Sequence, residues 1–108
     1  MLTTTHMKAI TEGHDYELAD HEGTGAQRLV FIQKEPVSEG STEMHTVRNG
    51  TTNEEVLRML IDRLQFLQKK APCRENAIVI TKLEESLMWL EKRTADRQAR
   101  GVEGTSAA

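Results

Sequence analysis

The sequence predicts an α+β fold: a small N-terminal antiparallel β-sheet followed by an antiparallel two-helix hairpin. Residues 1–50 contain short runs of β-branched and aromatic residues separated by turn residues. Residues 51–100 contain two segments whose leucines recur three and four positions apart, as on one face of a helix. Residues 101–108 form a tail, and the 108 residues make one domain. Because only 37% of them are hydrophobic, we expect an oligomer to complete the small core.

The strands are predicted from local composition. Two segments flank Gly13 and indicate a hairpin. RLVFIQK is the clearest strand, because it is rich in residues that favour β-structure. Turns are expected in the polar stretch 19–27, over residues 35–41, which contain Pro36 and Gly40, and at Asn49–Gly50. The predicted strands are residues 6–11, 14–18, 28–34 and 43–48.

The two helices have clear start and stop signals. Thr52 and Glu55 form a capping-box pattern, which predicts a helix from there to about Lys70. Pro72 interrupts the hydrogen-bond ladder, and a second helix is expected from about residue 74 to residue 100, ended by Gly101. Apolar residues at helical spacing form a seam on each helix: Leu57, Leu60, Leu64 and Leu67 on the first, and Ile80, Leu83, Leu87 and Leu90 on the second.

Charge and composition exclude several classes of function. The net charge of −3 argues against general DNA or RNA binding. Residues 69–100 nevertheless carry an excess of three positive charges, whereas residues 1–50 carry an excess of four negative charges. The lone Cys73 allows no internal disulfide, and no segment has the composition of a membrane span or signal peptide. We therefore expect a cytoplasmic protein. Met7 is an alternative start of the chain to Met1.

One face of the second helix carries a group of cations. Trp89, Arg93, Arg97 and Arg100 follow one another at intervals of four, four and three residues. Guanidinium groups bind phosphate oxygens through a planar pair of N–H donors, so Arg93 and Arg97 could together hold a pyrophosphate. The alternative is a solvated helix end whose arginines complement the helix dipole or pair with neighbouring acids.

Two further side chains are candidates for ligand contacts. Phe66 lies one position off the leucine seam, where its ring could stack on a purine or simply pack in the core or an oligomer interface. Asn76, at the start of the second helix, could cap that helix or hydrogen-bond a base edge.

No pattern of catalytic or metal-binding residues is evident. The four histidines match no zinc spacing, and Cys73 cannot complete one. The sequence contains no phosphate-binding glycine loop, nucleophile elbow or plausible triad. We therefore expect a protein that binds without turnover, with no metal and no cofactor.

The helical half resembles a known family. The capped TNEEVL start, the PCREN loop, the EESLMWLEKRTADR run and the RGVEGT tail are similar to the helical hairpin of phage anti-defence proteins that sequester bacterial immune signals. The similarity extends over residues 51–105 and is strongest to the first described family of Thoeris anti-defence proteins. The strand segments GHDYEL and RLVFIQK also favour that family over the all-helical anti-CBASS relatives.

The resemblance implies a ligand and a set of contacts. Members bind isomers of cyclic ADP-ribose made by TIR-domain enzymes, including glycocyclic ADP-ribose, without degrading them. By this resemblance Phe66 would stack on adenine, Asn76 would contact the ligand, and Arg93 and Arg97 would hold the pyrophosphate, with Arg28 as a further contact. A homo-oligomer, either a dimer or an assembly of dimers, is implied, and cyclic di- or trinucleotides are possible second ligands. Arg48 is a candidate contact for these.

Two other functions remain open from the sequence. A helical hairpin could dock on a host protein, in which case Arg93 and Arg97 would be dispensable. A hydrolase would require an acid, a base or a metal, for which the sequence offers no good candidate.

Overall fold

Within residues 6–108, five strands precede two long helices. The computed structural model describes residues 6–108, so the possible start at Met1 lies outside the described residues. In chain order the elements are β1 (Lys8–Thr11), β2 (Asp15–Ala19), β3 (Ala26–Val30), β4 (Gln33–Pro36), β5 (Met44–Arg48), α1 (Asn53–Lys70) and α2 (Arg74–Arg100). This order confirms the predicted α+β class, with strands first and a helical hairpin second.

The strands form two small antiparallel sheets. One has the order β1-β2-β3, and the other pairs β4 with β5. The predicted hairpin around Gly13 is present as β1 and β2, and the last predicted strand corresponds to β5.

The prediction of one continuous strand over residues 28–34 was wrong. The chain leaves the first sheet at Phe31, which forms an isolated bridge with Thr51. The Ile32 amide donates to the Thr51 carbonyl at 2.9 Å, and the Thr51 amide donates to the Val30 carbonyl at 2.8 Å. Gly50 allows this approach, since a Cβ there would lie 2.6 Å from the Val30 carbonyl oxygen. The pairing of Thr51, just before α1, with the backbone of residues 30–32 thus interrupts the strand between β3 and β4.

Both helices begin and end where their signals predict. The Thr52 hydroxyl accepts from the Glu55 amide at 3.2 Å, which caps α1. Cys73, and not Asn76, caps α2, because the Cys73 Sγ accepts from the Asn76 amide at 3.4 Å. Gly101 ends α2 with φ at +74°, a left-handed conformation in which glycine is favoured.

The two apolar seams form the interface between α1 and α2, and each seam residue is half-buried. Among the described residues no hydrophobic side chain is fully buried. Several large apolar side chains on the helices remain exposed: Met59, Phe66, Ile78, Val79, Met88 and Trp89. A second copy covering them would complete a core that one chain leaves open.

A buried carboxylate joins the two sheets. The side chain of Asp15, in β2, is 2% exposed. It accepts hydrogen bonds from Arg28 Nε and Nη2 in β3, each at 2.8 Å, and from Arg48 Nη1 in β5 at 2.8 Å. The two Arg28 hydrogen bonds, and then the one from Arg48, lower the pKa of Asp15 from 3.8 to about 2 against the opposing effect of burial.

This ion pair predicts a specific dependence of stability on pH. Since the folded-state pKa of Asp15 is depressed, its contribution is complete above the ordinary pKa of 3.8 and is lost as pH falls towards about 2. We expect Asp15→Asn to melt at a lower temperature than the wild type at pH 7. That difference should hold down to about pH 4 and shrink towards pH 2. A difference in melting temperature that stays constant to pH 2 would contradict this account.

Candidate functional site

The arginine-bearing face of α2 borders a cavity of about 430 Å³. Its other wall is the end of the chain, which turns back along the helix after Gly101 and Gly104, both with positive φ. The cavity is lined by Trp89, Lys92, Arg93, Asp96, Arg97 and Arg100 from α2, and by Ser106, Ala107 and Ala108 from the tail. The sequence predicted that the arginines share one face of the helix. It did not predict that the tail forms a wall of the cavity.

Arg97 lies on the α2 side of the cavity and is only 4% exposed. Its Nη2 donates to the carbonyls of Val102 at 2.9 Å and Thr105 at 2.7 Å, and its Nη1 donates to the carbonyl of Ala107. Glu103 Oε2 lies 3.9 Å from its Nε, too far for a hydrogen bond. The carbonyls do not neutralise the guanidinium charge of Arg97, and the Glu103 carboxylate, at ion-pair distance, offsets part of it. Arg97 therefore presents a buried, only partly compensated positive charge beside the cavity.

The other cations around the cavity are exposed. Arg100 Nη1 donates to the Ala108 carbonyl at 2.6 Å, and Lys92 lies 3.4 Å from Asp96. Arg93 has no hydrogen-bonding partner among residues 6–108. With Trp89 56% exposed beside these groups, the cavity offers guanidinium donors and an aromatic surface. This combination suits an anion that carries a flat ring.

Phe66 and Asn76 lie at the opposite end of the hairpin, beside its turn. The Phe66 ring is 57% exposed, and Lys70 Nζ lies 5.0 Å from its centroid, within the range of a cation–π contact. Asn76 is half-buried. The Gln68 side chain holds the turn in place by donating to the Cys73 carbonyl at 2.9 Å and accepting from the Cys73 amide at 3.1 Å.

The predicted contacts therefore fall in three places in one chain. Arg93 and Arg97 lie together at the cavity. Asn76 precedes Arg93 by 17 residues on α2, which is about 25 Å along a helix. Arg28 is in the strand half, bonded to Asp15. A single chain does not bring the turn residues and the arginines onto one ligand.

The described part of the chain shows neither a metal site nor a spanning helix. Among residues 6–108 no three His, Cys, Asp or Glu side chains are grouped as metal ligands would be. Neither described helix has the length and apolar character needed to cross a membrane.

Comparison with known proteins places this hairpin in a family. Residues 31–95 match the family model described as the Acb2/Tad1 hairpin domain. The chain is 46% identical over 94 residues to Thoeris anti-defense 1 of Bacillus phage SBSphiJ7. This match covers 86% of the chain but only 62% of the phage protein, so the chain spans less than two thirds of that relative's length. The matched residues include both helices up to Ala95, and the chain belongs to the Acb2/Tad1 hairpin family, as its resemblance to Thoeris anti-defence proteins implied.

Proposed function

We propose that this protein is a phage anti-defence protein that sequesters cyclic ADP-ribose isomers, including glycocyclic ADP-ribose, without degrading them. By removing the signal made by TIR-domain enzymes in the host cytosol, it would block Thoeris immunity. The name of the phage relative supports a Thoeris anti-defence role. The observation that carries the proposal is the cavity on α2, where arginines and an exposed tryptophan lie together.

The cavity suits a pyrophosphate. Arg93 is exposed and lines the cavity, so its N–H groups can bind phosphate oxygens directly. Arg97 contributes a buried positive charge that Glu103 offsets only in part, and a buried charge attracts anions more strongly than a solvated one does. Arg100 extends the cationic surface to the C-terminal end of α2. A volume of about 430 Å³ lies within the usual range for small-molecule sites.

A second chain would supply the contacts to the base. In an antiparallel pair of hairpins, the turn of one chain would lie beside the arginines of the other. Phe66 of one chain could then stack on adenine, and Asn76 could hydrogen-bond it. Arg93 of the other chain would hold the pyrophosphate through hydrogen bonds, and Arg97 through its charge. The exposed apolar side chains on both helices support such a homo-oligomer, a dimer or an assembly of dimers.

Arg28 would be a further, weaker contact. Its side chain is 53% exposed, and Nη1 has no acceptor among the described residues. Asp15 fixes the orientation of its guanidinium group, so little conformational entropy is lost on binding. We extend the proposal to cyclic di- or trinucleotides at a separate site between chains, with Arg48 as a candidate contact.

The shared site can be tested with a heterodimer. Phe66→Ala and Arg93→Ala chains with different affinity tags are co-expressed, and the mixed dimer is purified through both tags. If each site takes Phe66 from one chain and Arg93 from the other, one site in the mixed dimer retains both residues. We expect each variant alone to lose glycocyclic ADP-ribose binding, and the mixed dimer to bind about half as much as the wild type. A mixed dimer that binds none would place the whole site within one chain.

A protein-interaction module is the second candidate, favoured by the same exposed apolar side chains. In that case Arg93→Ala would leave anti-defence activity in infected cells unchanged, and Met88→Ala would abolish it. Sequestration predicts that Arg93→Ala abolishes activity. A hydrolase ranks third and predicts conversion of glycocyclic ADP-ribose to a product.

A further inference from the structure

We propose that residues 102–108, the C-terminal tail, form a latch that sets how long an anionic nucleotide stays in the α2 cavity, and that Thr105 is the residue that positions this latch. The inference rests on the proposed function, because it concerns the same cavity. It adds a kinetic role for a segment that carries none of the predicted ligand contacts.

Thr105 organises the tail internally. Its hydroxyl donates to the Val102 carbonyl at 2.6 Å and accepts from the Ala107 amide at 3.2 Å. Its own carbonyl accepts from Arg97 Nη2. Thr105 thereby sets the turn that directs the carbonyls of Val102 and Ala107 to the same guanidinium group. It does not itself line the cavity.

The tail is also attached to the strand half of the molecule. Thr105 forms an isolated antiparallel bridge with Glu43, and the Ser106 amide donates to the Thr42 carbonyl at 2.9 Å. The tail is thus held on one side by α2 and on the other by the segment before β5. Ser106, Ala107 and Ala108 are thereby kept over the cavity as its outer wall.

The attachment of the tail on both sides affects how fast a bound nucleotide dissociates. A nucleotide bound between Arg93 and the tail is held between the two walls of the cavity, and opening of the tail removes one of them. Opening breaks the bonds from Arg97 to the tail together with the bonds to the strand half. Segments held by a few partly exposed hydrogen bonds open locally without global unfolding. Loosening the tail therefore raises the dissociation rate, and the association rate changes little.

Thr105→Ala tests the proposal, with Thr105→Ser as the conservative variant and Thr81→Ala as the matched control. Thr81 also bonds through its hydroxyl to a carbonyl, that of Ala77, but lies outside the cavity. Surface plasmon resonance gives the dissociation rate of glycocyclic ADP-ribose from each protein. We expect Thr105→Ala to release it about five to ten times faster, corresponding to the loss of one or two hydrogen bonds. Thr105→Ser and Thr81→Ala should stay within about twofold of the wild type.

A second variant, a chain ending at Gly101, removes the latch while keeping all of α2 and its cap. Wild-type dissociation rates in this variant would overturn the proposal, as would equal acceleration by Thr105→Ala and Thr81→Ala. If the wild-type protein itself binds no glycocyclic ADP-ribose, the proposed function fails, and the latch fails with it. Wild-type binding with unchanged release from the variants refutes the latch alone.

Discussion

Replacing Arg97 with alanine is expected to weaken glycocyclic ADP-ribose binding by about 1.5–3 kcal/mol, or roughly 10- to 150-fold. The change removes a buried charge beside the cavity and frees three tail carbonyls from their common donor. The helices should remain intact, because Arg97 lies near the end of α2 and outside the seam between the helices. Isothermal titration calorimetry measures the affinity, and far-UV circular dichroism checks the fold.

Four variants make this result specific to the site. Arg93→Ala should weaken binding by a similar amount while leaving the tail closed, since Arg93 has no bond to it. Arg97→Lys keeps the charge but cannot reproduce the planar set of donors, so it should restore only part of the affinity. Lys82→Ala, on α2 but outside this cavity, should bind like the wild type. Wild-type affinity in a folded Arg93→Ala/Arg97→Ala double variant would exclude these residues from the site.

Leu87→Ala is expected to lower the free energy of unfolding by about 2–3 kcal/mol, the low end of the range for core truncations, because Leu87 is only half-buried. The truncation leaves a gap in the half-buried seam between α1 and α2. Urea unfolding at fixed chain concentration gives the change. Met88→Ala, the neighbouring exposed position, should cost less in a monomer. Equal losses for the two variants would mean that the seam is not the main interface.

The helices could be predicted from the sequence because their signals are local. The capping pair Thr52–Glu55, the break at Pro72 and the stop at Gly101 each act within a few residues. The strand break at Phe31 could not be predicted in this way. It depends on Thr51, twenty residues later, pairing with the chain there, and on Gly50 allowing that approach. Local composition favours a continuous strand across the break.

The candidate site was predictable in part. The helical period places Trp89, Arg93, Arg97 and Arg100 on one face, and they do line one cavity. The sequence did not predict that Arg97 is buried by the tail, because three carbonyls from residues 102–107 converge on it only after the chain turns back. Gly101 and Gly104, two positive-φ glycines close together, were the available signal for that turn.

The most direct test of sequestration is recovery of an intact ligand. The protein is incubated with glycocyclic ADP-ribose and other cyclic ADP-ribose isomers, washed free of unbound nucleotide and heat-denatured. The released material is then analysed by mass spectrometry. We predict that intact glycocyclic ADP-ribose is recovered from the wild type, and little or none from Arg93→Ala/Arg97→Ala. Recovery of a cleaved product, or capture of no cyclic ADP-ribose isomer at all, would contradict sequestration.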